Sequence, residues 1–74
     1  MSTYERVARI IAENRGIEAD TVTPETTFEQ LSFDSLDTVE LVMNFEEEFD
    51  ISIEAPEEGL KTVQEAVDLI DSLL

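Results

Sequence analysis

Asp34-Ser35-Leu36-Asp37-Thr38-Val39-Glu40-Leu41-Val42-Met43-Asn44-Phe45-Glu46-Glu47-Glu48-Phe49 carries the clearest periodicity in the chain, and its reading decides the fold. Placed at about 100° per residue on a helical wheel, Leu41, Val42, Phe45 and Phe49 share one side with Thr38. That is the ordinary core face of an amphipathic helix. Leu36, Val39 and Met43 fall roughly opposite, with Glu40 and Glu47 on the same stripe and Glu46 beside it. A chain of 74 residues has no second core for that stripe to enter. An apolar stripe edged by carboxylates and starting at a serine is therefore the expected working surface. Spacing alone leaves two readings of Leu36, Val39 and Met43 open: a docking surface, or a contact with a neighbouring loop.

Upstream, Ser2-Thr3-Tyr4-Glu5 fits a capping box. Tyr4, Val7, Ile10, Ile11 and Asn14 follow at helical spacing, and Gly16 ends the run as a left-handed cap onto which Ile17 folds back. A first helix is expected over roughly residues 3–15, with Glu5 complementing its positive start and Arg15 its negative end. Residues 17–34 form a long connection. Thr23-Pro24-Glu25 is a helix-start signal, Thr27-Phe28-Glu29-Gln30 caps one short turn, and Ile17, Val22, Phe28 and Leu31 are spaced as anchors over a core.

Downstream, Asp50-Ile51-Ser52-Ile53-Glu54 alternates like a strand but has no partner strand, so an extended connector is expected. Ala55-Pro56-Glu57-Glu58-Gly59 offers a single helical turn. Thr62-Val63-Gln64-Glu65 is a second capping box, opening a last helix over roughly residues 62–73. The expected fold is all-α: a small helical bundle of three main helices plus one short helical turn, with a long loop between helices one and two. Its expected core is Val7, Ile10, Ile11, Phe28, Leu41, Val42, Phe45, Phe49, Ile53, Leu60, Val63, Val67 and Ile70.

Composition narrows the function. The length allows one domain, residues 1–74. With no cysteine and no histidine, the chain lacks a thiolate, the usual general base and the commonest metal ligands, so neither a catalyst nor a metal centre is expected. Nineteen acids against four bases give a formal net charge of −15, and no base lies between Gly16 and Leu60. Such a field repels nucleic acid and anionic membranes and steers basic partners. Its self-repulsion predicts a melting temperature that rises with added salt. The 42% hydrophobic content, falling in helical periods, argues against disorder. No membrane span, signal peptide or transit peptide is expected, and the default location is the cytoplasm.

Ser35 has two readings. Asp34-Ser35-Leu36 by itself is an ordinary helix start. The same geometry sets a hydroxyl beside free backbone N–H groups and the positive helix end, where a phosphodiester is held without a basic side chain. The carboxylates Asp37, Glu40, Glu46, Glu47 and Glu48 read as a solvated face, and Glu46-Glu47-Glu48-Phe49-Asp50 lacks the order of a calcium loop.

The stretch from Asp34 to Met43, followed by Phe45-Glu46-Glu47-Glu48-Phe49, resembles the signature helix of the bacterial-type, freestanding (type II) acyl carrier proteins of fatty-acid synthesis. Arg6-Val7 with Ile10-Ile11-Ala12-Glu13 resembles that family's first helix, and Thr62-Val63-Gln64-Glu65-Ala66-Val67 its last. The resemblance covers essentially the whole chain. It implies a non-catalytic carrier with 4′-phosphopantetheine, taken from coenzyme A, on Ser35. The implied partners are a phosphopantetheinyl transferase and the malonyl and acyl transferases, ketosynthases, reductases and dehydratases that present basic patches. The implied contact surface is Asp34, Leu36, Asp37, Val39, Glu40, Met43, Glu46 and Glu47. The implied lining for a folded-back acyl chain is Phe28, Val42, Phe45, Ile53, Leu60 and Ala66. A monomer without nucleic acid or stable membrane insertion is implied.

The chain departs from the family where Asp-Leu-Gly-Ala-Asp-Ser-Leu is typical. Gln30-Leu31-Ser32-Phe33-Asp34-Ser35-Leu36 stands there, with Ser32 for the glycine, Phe33 for the small residue, and one residue fewer after Phe28. A glycine often marks positive φ, so a rebuilt approach to the second helix is expected, with the Phe33 ring beside the arm. Phe45, in place of a leucine, is expected to narrow the acyl lining. The alternatives to a fatty-acid carrier are a specialised carrier for a polyketide, lipid-modification or other dedicated route and, more distantly, an acidic protein that mimics nucleic acid.

Overall fold

The computed structural model describes residues 2–54 and 59–74. Helix α1 spans Thr3–Arg15, a 3-10 helical turn spans Ala19–Thr21, α2 spans Ser35–Phe49 and α3 spans Val63–Leu73. The short turn expected over Ala55–Gly59 falls on residues 55–58, outside the described residues. No helix of the described residues is long and apolar enough to cross a membrane.

Each helix starts where its sequence says it should. The Ser2 hydroxyl accepts from the Glu5 amide and the Glu5 carboxylate accepts from the Ser2 amide, each at 3.1 Å. These bonds to Ser2 hold the Glu5 carboxyl below its ordinary pKa. At the other end of α1, Gly16 takes φ 70, and the amides of Gly16 and Ile17 both donate to the Ala12 carbonyl. The Ile17 side chain itself stays exposed. Helix α2 closes in the same way at Asp50, φ 54, with the Asp50 and Ile51 amides on the Glu46 carbonyl. Asp is one of the few non-glycine residues that tolerates this conformation.

The core gathers Val7, Ala8, Ile10 and Ile11 of α1, Leu41, Phe45 and Phe49 of α2, and Val63, Ala66, Val67 and Ile70 of α3, with Val22 and Phe28 from the long loop. Two expected core members, Ile53 and Leu60, pack against this cluster half-buried. Val42 is also half-buried and lies outside the cluster, because the buried face of α2 is centred on Leu41, Phe45 and Phe49. The expectation that Val42 is a core residue is corrected accordingly.

The long loop is fastened at both of its halves. Tyr4 donates its hydroxyl to the Val22 carbonyl at 2.8 Å, and burial, then the Glu25 charge, raises the Tyr4 pKa. Thr27 and Gln30 form the expected cap: the Thr27 amide donates to Gln30 Oε1 at 2.9 Å and the Gln30 amide to Thr27 Oγ1 at 3.0 Å. The preceding segment lies against the start of α3 in an antiparallel bridge between Thr27 and Thr62. The Phe28 amide donates to the Lys61 carbonyl, Val63 to Thr26 and Gln64 to Pro24, all at 3.0 Å. The carbonyls of the loop thus satisfy amides that the first turn of a helix otherwise leaves open.

Arginines of α1 hold both ends of α2, which fixes the two helices in opposite senses. Arg6 makes an ion pair with Glu48 at 2.9 Å, donates to the Glu48 carbonyl, and lies 4.2 Å over the Phe49 ring. A cation there also complements the negative end of α2. Arg15 meets the opposite end.

Candidate functional site

The start of α2 is built by Ser32, Phe33 and Asp34. Ser32 sits at φ 63, the left-handed region. Serine thus holds a conformation that glycine takes more readily, at a cost of about 1–2 kcal/mol. Local bonds hold it, with the Ser32 amide on the Glu29 carbonyl and the Phe33 amide on the Phe28 carbonyl, both at 3.0 Å. The ring of Phe33 is half-buried and meets Phe28 edge-on, with centroids 5.9 Å apart and planes at 89°. It serves as a packing residue of the approach.

Asp34 is the N-cap of α2. Its carboxylate accepts from the Asp37 amide at 2.8 Å, and the Asp37 carboxylate accepts from the Asp34 amide at 3.3 Å. The Thr38 hydroxyl and amide both donate to the Asp34 carbonyl. Ser35 is thus the first helical residue, and it is exposed. Among the described residues, its hydroxyl makes no hydrogen bond, and the amides of Ser35 and Leu36 find no acceptor. An exposed nucleophilic oxygen stands beside two free N–H donors at the positive end of a fifteen-residue helix. Those are the elements that hold a phosphodiester without a basic side chain, so the residues present fit such a group.

The second stripe is exposed along its length. Leu36 is 67% exposed, Val39 56% and Met43 53%. Among the described residues, no loop covers them. Asp34, Glu40 and Glu47 flank the stripe with exposed carboxylates. Asp34 also caps the helix, and the other two acids of the expected surface are engaged as well. Asp37 sits in the cap and 3.8 Å from Arg15. Glu46 accepts from the Ile53 amide at 2.8 Å and so anchors the connector that follows α2.

The six residues of the expected acyl lining divide evenly. Phe28, Phe45 and Ala66 belong to the buried core; Ile53 and Leu60 are half-buried against it, and Val42 is half-buried outside it.

Sequence reasoning assigned Arg15 only to the helix dipole and missed most of what it does. Its Nη1 donates to the Ser32 carbonyl at 3.3 Å, its Nη2 faces Asp37, and its guanidinium lies 4.5 Å over the Phe33 ring. The available signal was a new aromatic at 33 together with a cation at the end of the helix that precedes it.

Over residues 5–70 the chain matches the family described as the phosphopantetheine attachment site. Among solved structures it is similar to the crystal structure of an acyl carrier protein from Thermotoga maritima. The two are 35% identical, the match covers 92% of this chain and 81% of that one, and the TM-score is 0.74.

Proposed function

The chain belongs to the phosphopantetheine-attachment family and, within it, to the acyl carrier proteins; from that premise we propose that it carries acyl intermediates of fatty-acid biosynthesis as thioesters on an arm at Ser35. The covalently attached group of this family is 4′-phosphopantetheine. One observation carries the assignment to Ser35: its hydroxyl is exposed and unbonded, among the described residues, at the open first turn of α2, where the exposed stripe begins. When attached, the group supplies the thiol that this cysteine-free chain lacks.

Attachment from coenzyme A forms a bond between Ser35 Oγ and phosphorus and breaks the bond from that phosphorus to the nucleotide half. The serine proton has to leave. The chain has no histidine to take it, so the base belongs to the transferase. The role of the chain is to present the oxygen and to accommodate the resulting negative charge at the helix start. It acts as a cosubstrate of other enzymes rather than as a catalyst.

The stripe is the docking face. Leu36, Val39 and Met43 supply adaptable apolar area. Glu40 and Glu47 supply free charge for basic patches on transferases, ketosynthases, reductases and dehydratases. Asp37 and Glu46, being engaged internally, shape this face more than they charge it. An acyl chain folding back passes the rim at Val42, Ile53 and Leu60 and ends toward Phe28, Phe45 and Ala66. The protein works in the cytoplasm as a monomer.

A second reading, a carrier dedicated to a polyketide or lipid-modification route, is favoured by one feature: Phe33 and Arg15 together make a bulkier approach to Ser35 than the family's small residue does. Loading the pantetheinylated protein with malonyl and acyl groups and offering it to fatty-acid synthase enzymes separates the two. Sustained elongation and reduction are expected. A loaded protein that these enzymes leave untouched points to the dedicated route.

A further inference from the structure

We propose that Arg15 is a positioning residue for the attachment serine, a role that rests on the reading of Ser35 given above. The side chain spans that serine. On one side it holds the Ser32 carbonyl, three residues before Ser35; on the other it faces the Asp37 carboxylate, two residues after it. Between these two contacts the guanidinium lies over the Phe33 ring. The planar fork of arginine can serve both oxygens at once, which a lysine ammonium cannot.

The brace is needed because of what it braces. Ser32 is held in a left-handed conformation that disfavours a side chain, and only two peptide units separate it from the N-cap of α2. Releasing the Ser32 carbonyl lets that residue relax toward ordinary φ, and the N-cap and first turn move with it. Arg15 Nε is buried and has no hydrogen-bond acceptor among the described residues. The Phe33 ring that the guanidinium covers packs against the edge of the buried cluster.

The brace acts on the fraction of molecules that present Ser35 correctly. A smaller competent fraction raises the apparent KM of the protein as an acceptor and leaves the chemistry after docking unchanged. The test is steady-state transfer of phosphopantetheine from coenzyme A to the apo protein by a phosphopantetheinyl transferase. Arg15→Leu is expected to raise KM about five-fold with kcat unchanged. Phe33→Leu is expected to act in the same direction, and the double variant to lose less than the two single losses combined, because the guanidinium–ring contact is common to both. Ser32→Gly in the Arg15→Leu background is expected to recover most of the loss, since glycine takes positive φ without the penalty. Amide hydrogen exchange on the apo proteins reports the geometry directly. In Arg15→Leu the Phe33 and Asp37 amides are expected to exchange faster, while those of Ile11 and Val67 do not.

An unchanged KM in Arg15→Leu, a loss that Ser32→Gly leaves in place, or faster exchange spread equally through the core overturns the proposal. Wild-type protein that accepts no phosphopantetheine overturns the Ser35 reading and this proposal with it. Wild-type and Arg15→Leu proteins modified equally well overturn this proposal alone.

Discussion

Helices α2 and α3 begin alike and end up in opposite situations. Each opens on a reciprocal capping box, Asp34 with Asp37 and Thr62 with Glu65. At α3 the next two amides, Val63 and Gln64, are taken by the carbonyls of Thr26 and Pro24. At α2 the equivalent amides, Ser35 and Leu36, have no acceptor among the described residues. The same local grammar therefore yields a closed, structural helix start in one place and an open one in the other. What distinguishes them is the long loop, which lies across α3 and ends by delivering the chain into α2. The loop closes one start and, through Phe28 and Phe33, shapes the other.

Phe28 joins the two regions, so its loss should have the largest effect on stability. Its ring is buried, its amide bonds Lys61 at the α3 side, and its carbonyl accepts from Leu31 and Phe33 on the α2 side. Phe28→Ala is expected to cost about 3–5 kcal/mol, a large share of what a domain of this size has in hand. Urea titration followed by circular dichroism measures it. A cost below about 1 kcal/mol would mean that the two helix starts are not coupled through this ring.

Thr62→Ala breaks only the closed start. It removes the acceptor of the Glu65 amide while leaving the loop carbonyls in place. The expected loss is about 1 kcal/mol of global stability, with phosphopantetheine transfer to Ser35 unchanged. A transfer rate that fell with it would show that the closed start supports the open one. The smallest effect is expected at the far end of the exposed stripe. Glu47→Lys should slow association with basic partner enzymes by a few-fold at low salt and by less at physiological salt, with little change in stability. Stopped-flow association rates decide this, and rates equal to wild type would remove the stripe from the docking face.

Much of this was legible in the sequence because it is local. Ser2 with Glu5, Thr62 with Glu65, and Gly16 after Arg15 mark helix ends within four residues, and the helical period exposes the second stripe without reference to any fold. The closing of α3 by Pro24 and Thr26 was not legible, since it is made of backbone groups about forty residues from their partners and carries no side-chain pattern. The conformation of Ser32 was not legible, because serine at positive φ is uncommon. Only the contacts of Glu29, Phe28 and Arg15 around it explain why it stays there. Asp37 and Glu46 looked like free surface charge, and their internal partners, Arg15 and the Ile53 amide, become apparent only once the helices are placed. In the candidate site, the stripe followed from the wheel, whereas Ser35 was singled out only by the family resemblance of its helix. The brace followed from neither, because its members, Arg15, Ser32, Phe33 and Asp37, come from the end of one helix and the start of the next.

Whether the open start of α2 receives the prosthetic group is read from intact mass with fragment mapping. Apo protein is incubated with coenzyme A and a phosphopantetheinyl transferase, alongside Ser35→Ala and a carrier known to be modified by the same enzyme. A gain of one phosphopantetheine is expected on wild-type protein, mapped to Ser35, and none on Ser35→Ala, with both proteins melting at the same temperature. Folded wild-type protein that gains nothing while the control carrier is modified, or Ser35→Ala protein that is still modified, would contradict it.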